Sequence, residues 1–127
     1  MVNAIAKARE RARNYLEAMY EGTCTVIERQ HIKDPVTKIK RQEERVVLEG
    51  QPCRLSFEKV SAAAQTETAA AVSQGVKLFL PPEISIKPGS KVLVRQNGAC
   101  GVYAASGEPA VYQTHQEVML ELFKEWA

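Results

Sequence analysis

The chain has 127 residues, a length that favours a single domain. Hydrophobic residues make up 45% of it, which is enough for one core, but aromatic residues account for only 6%. The core must therefore rest mainly on aliphatic side chains. The formal charge of +2 argues against a dedicated nucleic-acid-binding protein, because such proteins usually carry a stronger basic bias.

The N-terminal sequence and the cysteine usage predict a cytosolic protein that is not exported. Residues 1–13 are small and basic and lack the apolar run of a signal peptide. No stretch approaches the roughly 18 apolar residues that a membrane span requires. Cys24, Cys53 and Cys100 are odd in number and widely separated, which is typical of reduced thiols. We expect all three to lie in strands as small buried hydrophobic residues.

A helix is predicted over residues 5–20, which are rich in the good helix formers Ala, Arg, Glu and Leu. Asn3 is placed to cap its start and Gly22 to end it. Apolar residues recur at three- or four-residue spacing and form a narrow stripe: Ile5, Ala8, Ala12, Leu16 and Met19. Four basic residues lie mostly off this stripe: Lys7, Arg9, Arg11 and Arg13.

After the helix the hydrophobic period changes to that of strands. Residues 23–32 alternate and are β-branched, with Cys24 and Val26 on one side. Asp34-Pro35 signals a turn, and residues 36–44 are predicted to form a solvated hairpin arm. Residues 45–49 are predicted to form a second strand, residues 50–52 a bend, and residues 53–57 a third strand.

Residues 61–74 differ in character from the rest of the chain. They consist almost entirely of Ala, Thr, Ser and Gln, and such a segment buries too little surface to offset its ordering entropy. We therefore expect a long mobile loop, and loops of this length in small domains are often functional. A helix remains an alternative because the segment is rich in alanine.

The remaining elements are short strands separated by turn signals. Strands are predicted at residues 76–80, 91–96 and 99–104, with Ile84 and Ile86 alternating with polar residues between the first two. Asn97-Gly98 is a strong hairpin signal because both residues tolerate the positive φ of a type I′ turn. Residues 88–89 and 106–109 are expected to be turns. Residues 115–126 fit a strand or a helix, and a strand is favoured because sheet closure needs a final partner.

Three patterns with possible chemistry are better explained without it. Ser56 and Lys59 match a Ser-x-x-Lys motif, but an alternating strand would send them to opposite faces. His115 and Glu117 match half of a zinc deaminase motif, yet the downstream cysteine pair is missing, so His115 is expected to be a structural hydrogen-bonding residue. The glycines of residues 98–107 are wrongly spaced for a dinucleotide fingerprint. We therefore predict no enzyme activity, no cofactor and no metal site.

The second half of the chain resembles a known family in residues 76–92. The stretch VKLFLPPEISIKPGSKV is similar to the apolar strand and Ile-x-Ile-x-x-Gly-Asp-x-Ile core of phage head-completion and head–tail joining proteins. Ser90 stands where many relatives have Asp. Residues 106–117 are similar to the version found in defective prophages such as the phage-like element PBSX and the skin element. The resemblance runs from about Cys24 to the C-terminus.

The resemblance implies a small β-barrel that multimerises as a ring below the portal and adaptor of a virion neck. Its partners would be portal, adaptor and tail-completion proteins, with packaged double-stranded DNA nearby. In stopper-like members a long loop projects into the DNA channel, which assigns that role to residues of the 61–74 loop: Ser61, Ala62, Gln65, Thr66, Glu67, Thr68, Ser73 and Gln74. The family pattern does not require the N-terminal helix.

The fold expected from the sequence is mainly β, a single-domain barrel of about six short strands, with a helical region at residues 1–22 and the barrel at residues 23–127. The basic side chains of the helix, Lys7, Arg9, Arg11 and Arg13, are expected to dock on an acidic partner surface, although solvated helix faces look the same and phosphate contact is a further alternative. The alternative function is an OB-like barrel that binds single-stranded nucleic acid, which needs aromatic stacking platforms and a basic groove.

Overall fold

The computed structural model describes residues 3–59 and 74–126. These residues form α1 (Ala4–Glu17), β1 (Gly22–Lys33), β2 (Lys40–Lys59), β3 (Gln74–Leu80), β4 (Lys91–Gln96), β5 (Ala99–Val111) and β6 (Gln116–Leu122). The strands close into one barrel in the order β1-β2-β3-β6-β5-β4, and every neighbouring pair is antiparallel. The mainly β barrel with an N-terminal helix is confirmed.

The barrel interior is filled by one face of each strand. Successive side chains of a strand point to opposite sides, so the alternating pattern of the sequence sends every second residue inward. Leu78, Val26, Val92 and Val118 are almost completely buried there. The other buried core residues of the strands are Cys24, Cys53, Leu55, Val76, Leu80, Val94, Tyr103, Ala105 and Leu120. The core is therefore aliphatic, as the composition predicts.

β2 is one strand of 20 residues, which corrects the prediction of two short strands separated by a bend at residues 50–52. Gly50 has φ +63°, and the register of β2 against β1 shifts on either side of Val26. The glycine therefore sits in a bulge, which bends a strand without ending it. The 61–74 segment accordingly follows the second strand of the barrel and not the third.

β5 shows the same effect at residues 106–109, where the sequence predicts a turn. Gly107 has a positive φ, and the register against β6 shifts between Ser106 and Ala110, but the strand continues to Val111. The hairpin before β5 and the strand after it agree with the prediction. Asn97 and Gly98 both have positive φ and join β4 to β5, and the ambiguous C-terminal stretch forms a strand.

The segment between β3 and β4 closes one end of the barrel. Ile84 and Ile86 do not lie in a strand, although their spacing is that of one, and Ile86 is buried against the core. The side-chain amide of the buried Gln116 donates to the backbone carbonyls of Pro81, at 2.8 Å, and Ile84. Near its other end, the backbone N–H of Gly89 donates to the carbonyl of Ala105 on β5 at 2.8 Å. The segment is therefore fixed at both ends.

Candidate functional site: projecting elements and the barrel mouth

Helix α1 lies outside the barrel and contributes no buried residue to the core. Asn3 caps it as predicted, because its side-chain oxygen accepts a hydrogen bond from the backbone N–H of Ile5 at 2.9 Å. The helix ends at Glu17, before the predicted Gly22, which is the first residue of β1. Ile5 is largely exposed, whereas Leu16 and Met19 at the other end are partly covered.

An ion pair fastens α1 to the closed end of the barrel. The guanidinium of Arg13 holds the carboxylate of Glu83 with both of its terminal nitrogens, the Nη2–Oε2 distance being 2.7 Å. Its Nε also donates to Glu17 on the next turn at 3.0 Å. The hydrogen bond from Arg13 lowers the pKa of Glu83 below its ordinary value. A second contact joins Arg54 of β2 to the sulfur of Met19.

The four basic residues expected at a partner interface have two different surroundings. Lys7, Arg9 and Arg11 are exposed along α1 and are available for an approaching surface. Arg13 is half-buried and engaged within the chain by Glu83. Docking through these residues remains a prediction, and Arg13 in addition positions the helix.

A two-stranded arm projects from the end of the barrel that carries residues 81–90. β1 pairs with β4 only from Thr23 to Ile27, but it continues to pair with β2 as far as Lys33. On the other side, β3 pairs with β2 over Arg54–Lys59 and leaves the earlier part of β2 to β1 alone. The arm predicted from the polar composition of residues 36–44 is therefore confirmed, and it begins earlier, at residue 28.

The turn at the tip of the arm is well ordered by its own hydrogen bonds. The carboxylate of Asp34 accepts from the backbone N–H groups of Val36 at 2.8 Å and Thr37 at 3.3 Å. These bonds lower the pKa of Asp34, because they stabilise its charged form. Yet the tip displays two large aliphatic side chains to solvent, since Val36 is 87% and Ile39 is 65% exposed.

At the other end of β2 the barrel opens into an apolar mouth. A cavity of about 650 Å³ lies there between the ends of β2, β3 and β6 and the middle of β5. Phe57 and Leu122 face it and are 53% and 70% exposed, although their spacing places them on the core face of their strands. The other apolar residues of this mouth are Val76, Tyr103 and Leu120, and Glu121, Lys124 and Glu125 lie at its rim.

Neither the arm tip nor the mouth is identified as a site by the sequence. Val36 and Ile39 are isolated among polar residues, and Phe57 continues the buried alternation of Cys53 and Leu55. Their exposure follows from position, because the strands extend past the closed barrel at one end and stop level with the mouth at the other. Only the pairing of distant strands supplies that information.

The residues expected to face a DNA channel lie almost entirely outside the described part of the chain. Gln74 is the exception, and it begins β3 opposite Lys59 of β2. The two strands that flank the 61–74 segment therefore lead directly into and out of the barrel mouth. The channel-facing role of Ser61 to Gln74 remains a prediction.

His115 makes hydrogen bonds just before β6, as the sequence predicts for it. Its ring lies just before β6, with Nδ1 3.1 Å from the hydroxyl of Thr114 and Nε2 3.0 Å from a carboxylate oxygen of Glu117. It also stacks on Tyr112, with 4.8 Å between ring centroids. The hydrogen bond from His115 lowers the pKa of Glu117, with a smaller contribution from Lys77.

The cysteines divide into a buried pair and an exposed residue. Cys24 and Cys53 are buried on neighbouring strands, and a hydrogen bond between their thiols, together with burial, raises the pKa of Cys24. Cys100 is exposed next to the β4–β5 hairpin, so the prediction that all three are buried is wrong for this residue. The first residues of β5 lie beyond the core, and alternation alone cannot reveal that.

Two further properties hold for residues 3–59 and 74–126. No group of three or more His, Cys, Asp or Glu side chains within these ranges is arranged to hold a metal ion. None of the helical structure found there is long and apolar enough to cross a membrane.

Comparisons with known proteins give a distant structural likeness. No family model matches the chain, and no curated protein matches it significantly. The chain is similar to the solved structure of the phage-like element PBSX protein xkdH from Bacillus subtilis, with 11% sequence identity and a TM-score of 0.44. The match covers 77% of this chain and 90% of that one.

Proposed function

We propose that the chain is a structural connector of a tailed phage or defective prophage, built into the joint between head and tail. The observation that carries this proposal is the placement of its projecting elements on a closed barrel. α1 contributes nothing to the core, and the β1–β2 arm extends beyond the last rung shared with β4. Elements that lie outside the core of their own domain are well suited to contacts with neighbouring subunits.

The sequence resemblance of residues 76–92 to head-completion proteins gives the proposal its specific form. In this role the barrel is the body of a ring subunit, and α1 contacts the portal or adaptor through Lys7, Arg9 and Arg11. Residues 61–74 face the central channel, close to packaged double-stranded DNA. The ring is assembled in the bacterial cytoplasm and remains in the neck of the particle.

The single-strand-binding alternative finds less support in the surface of the barrel. Stacking of successive bases needs neighbouring exposed aromatic rings along a basic groove. The exposed rings among the described residues are Tyr15 on α1, Phe57 at the mouth and Tyr112 after β5, and Tyr112 is stacked on His115. These positions do not form a continuous path.

Deletion of the gene in the bacterium that encodes it tests the connector role. We expect full heads and complete tails that fail to join, seen by electron microscopy after induction, and recovery of joined particles when the intact gene is supplied in trans. In particles from the complemented strain, an epitope-tagged chain should be found at the neck. Normal joined particles from the deletion strain would contradict the proposal.

A further inference from the structure

We propose that the arm tip of one subunit inserts into the barrel mouth of a second copy of this chain, and that this head-to-tail contact is the repeating interface of the assembly. The arm tip is defined by residues 33–40, and the mouth by Phe57, Val76, Tyr103, Leu120 and Leu122. This inference deepens the proposed connector function, on which its ring geometry rests, by naming the contact between subunits.

The chemistry of the tip fits an apolar pocket. Val36 and Ile39 are among the most exposed large aliphatic side chains of the described chain, and they stand on a turn that Asp34 holds in one conformation. An ordered turn loses little conformational entropy when it binds. Solvated hairpin tips are usually polar, so two exposed aliphatic residues at one tip indicate a surface that becomes covered.

The mouth has the complementary properties. Phe57 and Leu122 leave an aromatic and an aliphatic side chain open to solvent beside a cavity of about 650 Å³. Tyr103 lines the same cavity and lies over Gly101, where an added Cβ would come within 2.5 Å of the ring. Gly101 leaves room for the ring, and Tyr103 is buried against the core, so this part of the pocket wall is formed before any partner arrives.

Charge favours the same pairing. The tip carries three lysines and one aspartate between residues 33 and 40, and the aspartate is occupied by the backbone of the turn. The rim of the mouth carries Glu121 and Glu125 with one lysine, Lys124. A basic tip and a mildly acidic rim attract one another, and such rim charges act mainly on the orientation and rate of association.

The strand order favours an intermolecular contact. Tip and mouth lie toward opposite ends of β2, whose 20 residues would span on the order of 60 Å at about 3.3 Å per residue without the bulge at Gly50. The base of the arm is covered by the chain's own C-terminal segment, because Trp126 Nε1 donates to Glu44 at 2.7 Å, and the tip extends beyond this contact. Two different surfaces that bind head to tail generate a ring when the rotation between copies closes, which is the assembly that a connector requires.

A second copy explains the arm tip better than nucleic acid does. Lys33, Lys38 and Lys40 could contact phosphate groups, but Val36 and Ile39 would then remain in water. In the mouth of a second copy both kinds of side chain find partners. Binding of DNA by the arm is therefore the competing outcome of the experiment below.

The contact is tested by disulfide trapping between two differently tagged variants of the full chain, each with one new cysteine. Both carry Cys100→Ser to remove the exposed thiol, while the buried Cys24 and Cys53 are kept. One carries Ile39→Cys at the tip and the other Leu122→Cys at the mouth. Mixed and oxidised at high protein concentration, they should form the mixed disulfide dimer in clear excess over either homodimer.

The matched control replaces the tip cysteine by Val111→Cys. Val111 is exposed to nearly the same degree as Ile39, 62% against 65%, but lies at the end of β5, outside both the arm tip and the residues that line the mouth. Its mixed dimer with Leu122→Cys should form at the background rate. Equal yields from the Ile39 and Val111 pairs would overturn the proposal.

Charge reversal gives a second readout that a general loss of stability cannot imitate. Reversing the charge of either surface should lower the rate of disulfide trapping about threefold or more at low salt. The tip variant for this test carries Lys38→Glu with Lys40→Glu, and the mouth variant carries Glu121→Lys with Glu125→Lys. The two reversed partners together should recover the rate. No change, or slowing without recovery, would contradict the proposal.

The outcomes separate this inference from the connector role. If the lysine variants lose affinity for double-stranded DNA while the tip–mouth disulfide fails to form, the arm is a nucleic-acid contact and the proposal is wrong. If the disulfide forms in the purified chain but deletion of the gene leaves joined particles, the subunit contact stands and the connector role fails. If the deletion leaves heads and tails unjoined but no disulfide is trapped, the connector role stands and the subunit contact fails.

Discussion

At the residue scale, the side chain of Gln96 takes the place of a missing backbone strand. β1 begins at Gly22, opposite Cys53, so beyond it the edge of β2 that faces away from β3 would lack a neighbour at Leu55. The Leu55 N–H donates to Gln96 Oε1 at 2.8 Å, and Gln96 Nε2 donates to the Leu55 carbonyl at 3.1 Å. Gly22 allows this approach, because a Cβ there would lie 3.0 Å from Gln96 Oε1. The amide thereby bridges the gap between β2 and β4 beyond the end of β1, which we call the barrel seam.

Replacing Gln96 with Ala should destabilise the barrel by about 2 kcal/mol, because the substitution leaves a partly buried donor and acceptor of Leu55 without their partner. Urea unfolding followed by circular dichroism measures this free energy. The neighbouring exposed Arg95→Ala serves as the control and should change stability by less than about 0.5 kcal/mol. Equal effects of the two substitutions would show that the seam does not depend on the amide.

The thiols provide a second prediction at the residue scale. Cys100 should react with a thiol reagent in the native protein within the mixing time of a manual assay, because it is exposed. Cys24 and Cys53 should react only on unfolding, since both are buried and the pKa of Cys24 is raised by its hydrogen bond to Cys53. Absorbance of the released thiolate counts the groups. More than one fast thiol per chain in the native protein would contradict this assignment.

At the scale of elements, the sequence predicts those that local chemistry determines. Lys91–Gln96 is predicted with its observed bounds, and the Asn97-Gly98 hairpin and the Asn3 cap are also confirmed. Each depends on alternation or on one or two residues with a strong backbone preference. These are the features for which a short window of sequence contains the physical cause.

The continuity of β2 and β5 could not be predicted in the same way. A glycine followed by a proline within two residues, as at Gly50 and Gly107, is a turn signal when it is read locally. In the barrel each glycine instead forms a bulge, because the partner strands β1 and β6 continue past it and keep the chain paired. Pairing between distant segments decides between the two outcomes.

Helix α1 should be separable from the barrel that it contacts. Because α1 contributes no buried side chain, deleting residues 1–17 should leave a barrel that melts within about 5 °C of the intact protein. Thermal circular dichroism measures this shift, and incorporation into particles should fall sharply in the same variant. A triple charge reversal on the helix should reproduce the loss of incorporation without changing the melting temperature. The substitutions are Lys7→Glu, Arg9→Glu and Arg11→Glu. Unfolding on truncation would assign the helix to the core.

The attachment of α1 should also depend on pH through Glu83. The pKa of this carboxyl is lowered in the folded protein by Arg13, so its contribution is complete above the ordinary value of 4.5 and is lost as the pH falls through the lowered value. Amide hydrogen exchange in α1, corrected for the intrinsic rate, should therefore accelerate at acidic pH before that of β4. Glu83→Gln should show the faster exchange already at neutral pH and lose the pH dependence.

At the scale of the whole molecule, the proposed interface could not be predicted from the sequence, although both of its parts are visible in it. Residues 36–44 are recognisable as an arm, and Phe57 and Leu122 as members of alternating strands. What is not visible is that one strand, β2, carries the arm at one end and the mouth at the other. This arrangement arises only on closure of the barrel, which brings β3, β5 and β6 around the end of β2.

The distribution of charge and aromatic residues over the molecule leads to the last prediction, weak binding of single-stranded DNA. The net charge is +2, Arg13 is neutralised by Glu83, and the three exposed aromatic rings of residues 3–59 and 74–126 lie on separate elements. Affinity for a nucleic-acid strand comes from many phosphate contacts and from bases stacked in succession, so we expect a dissociation constant weaker than about 10 μM at physiological salt. Fluorescence anisotropy with labelled oligonucleotides of increasing length measures it, and affinity should rise only gradually with length, without a defined site size. A sub-micromolar affinity that reaches a plateau at a fixed length would instead favour the OB-like function, because a plateau requires a continuous groove of fixed extent.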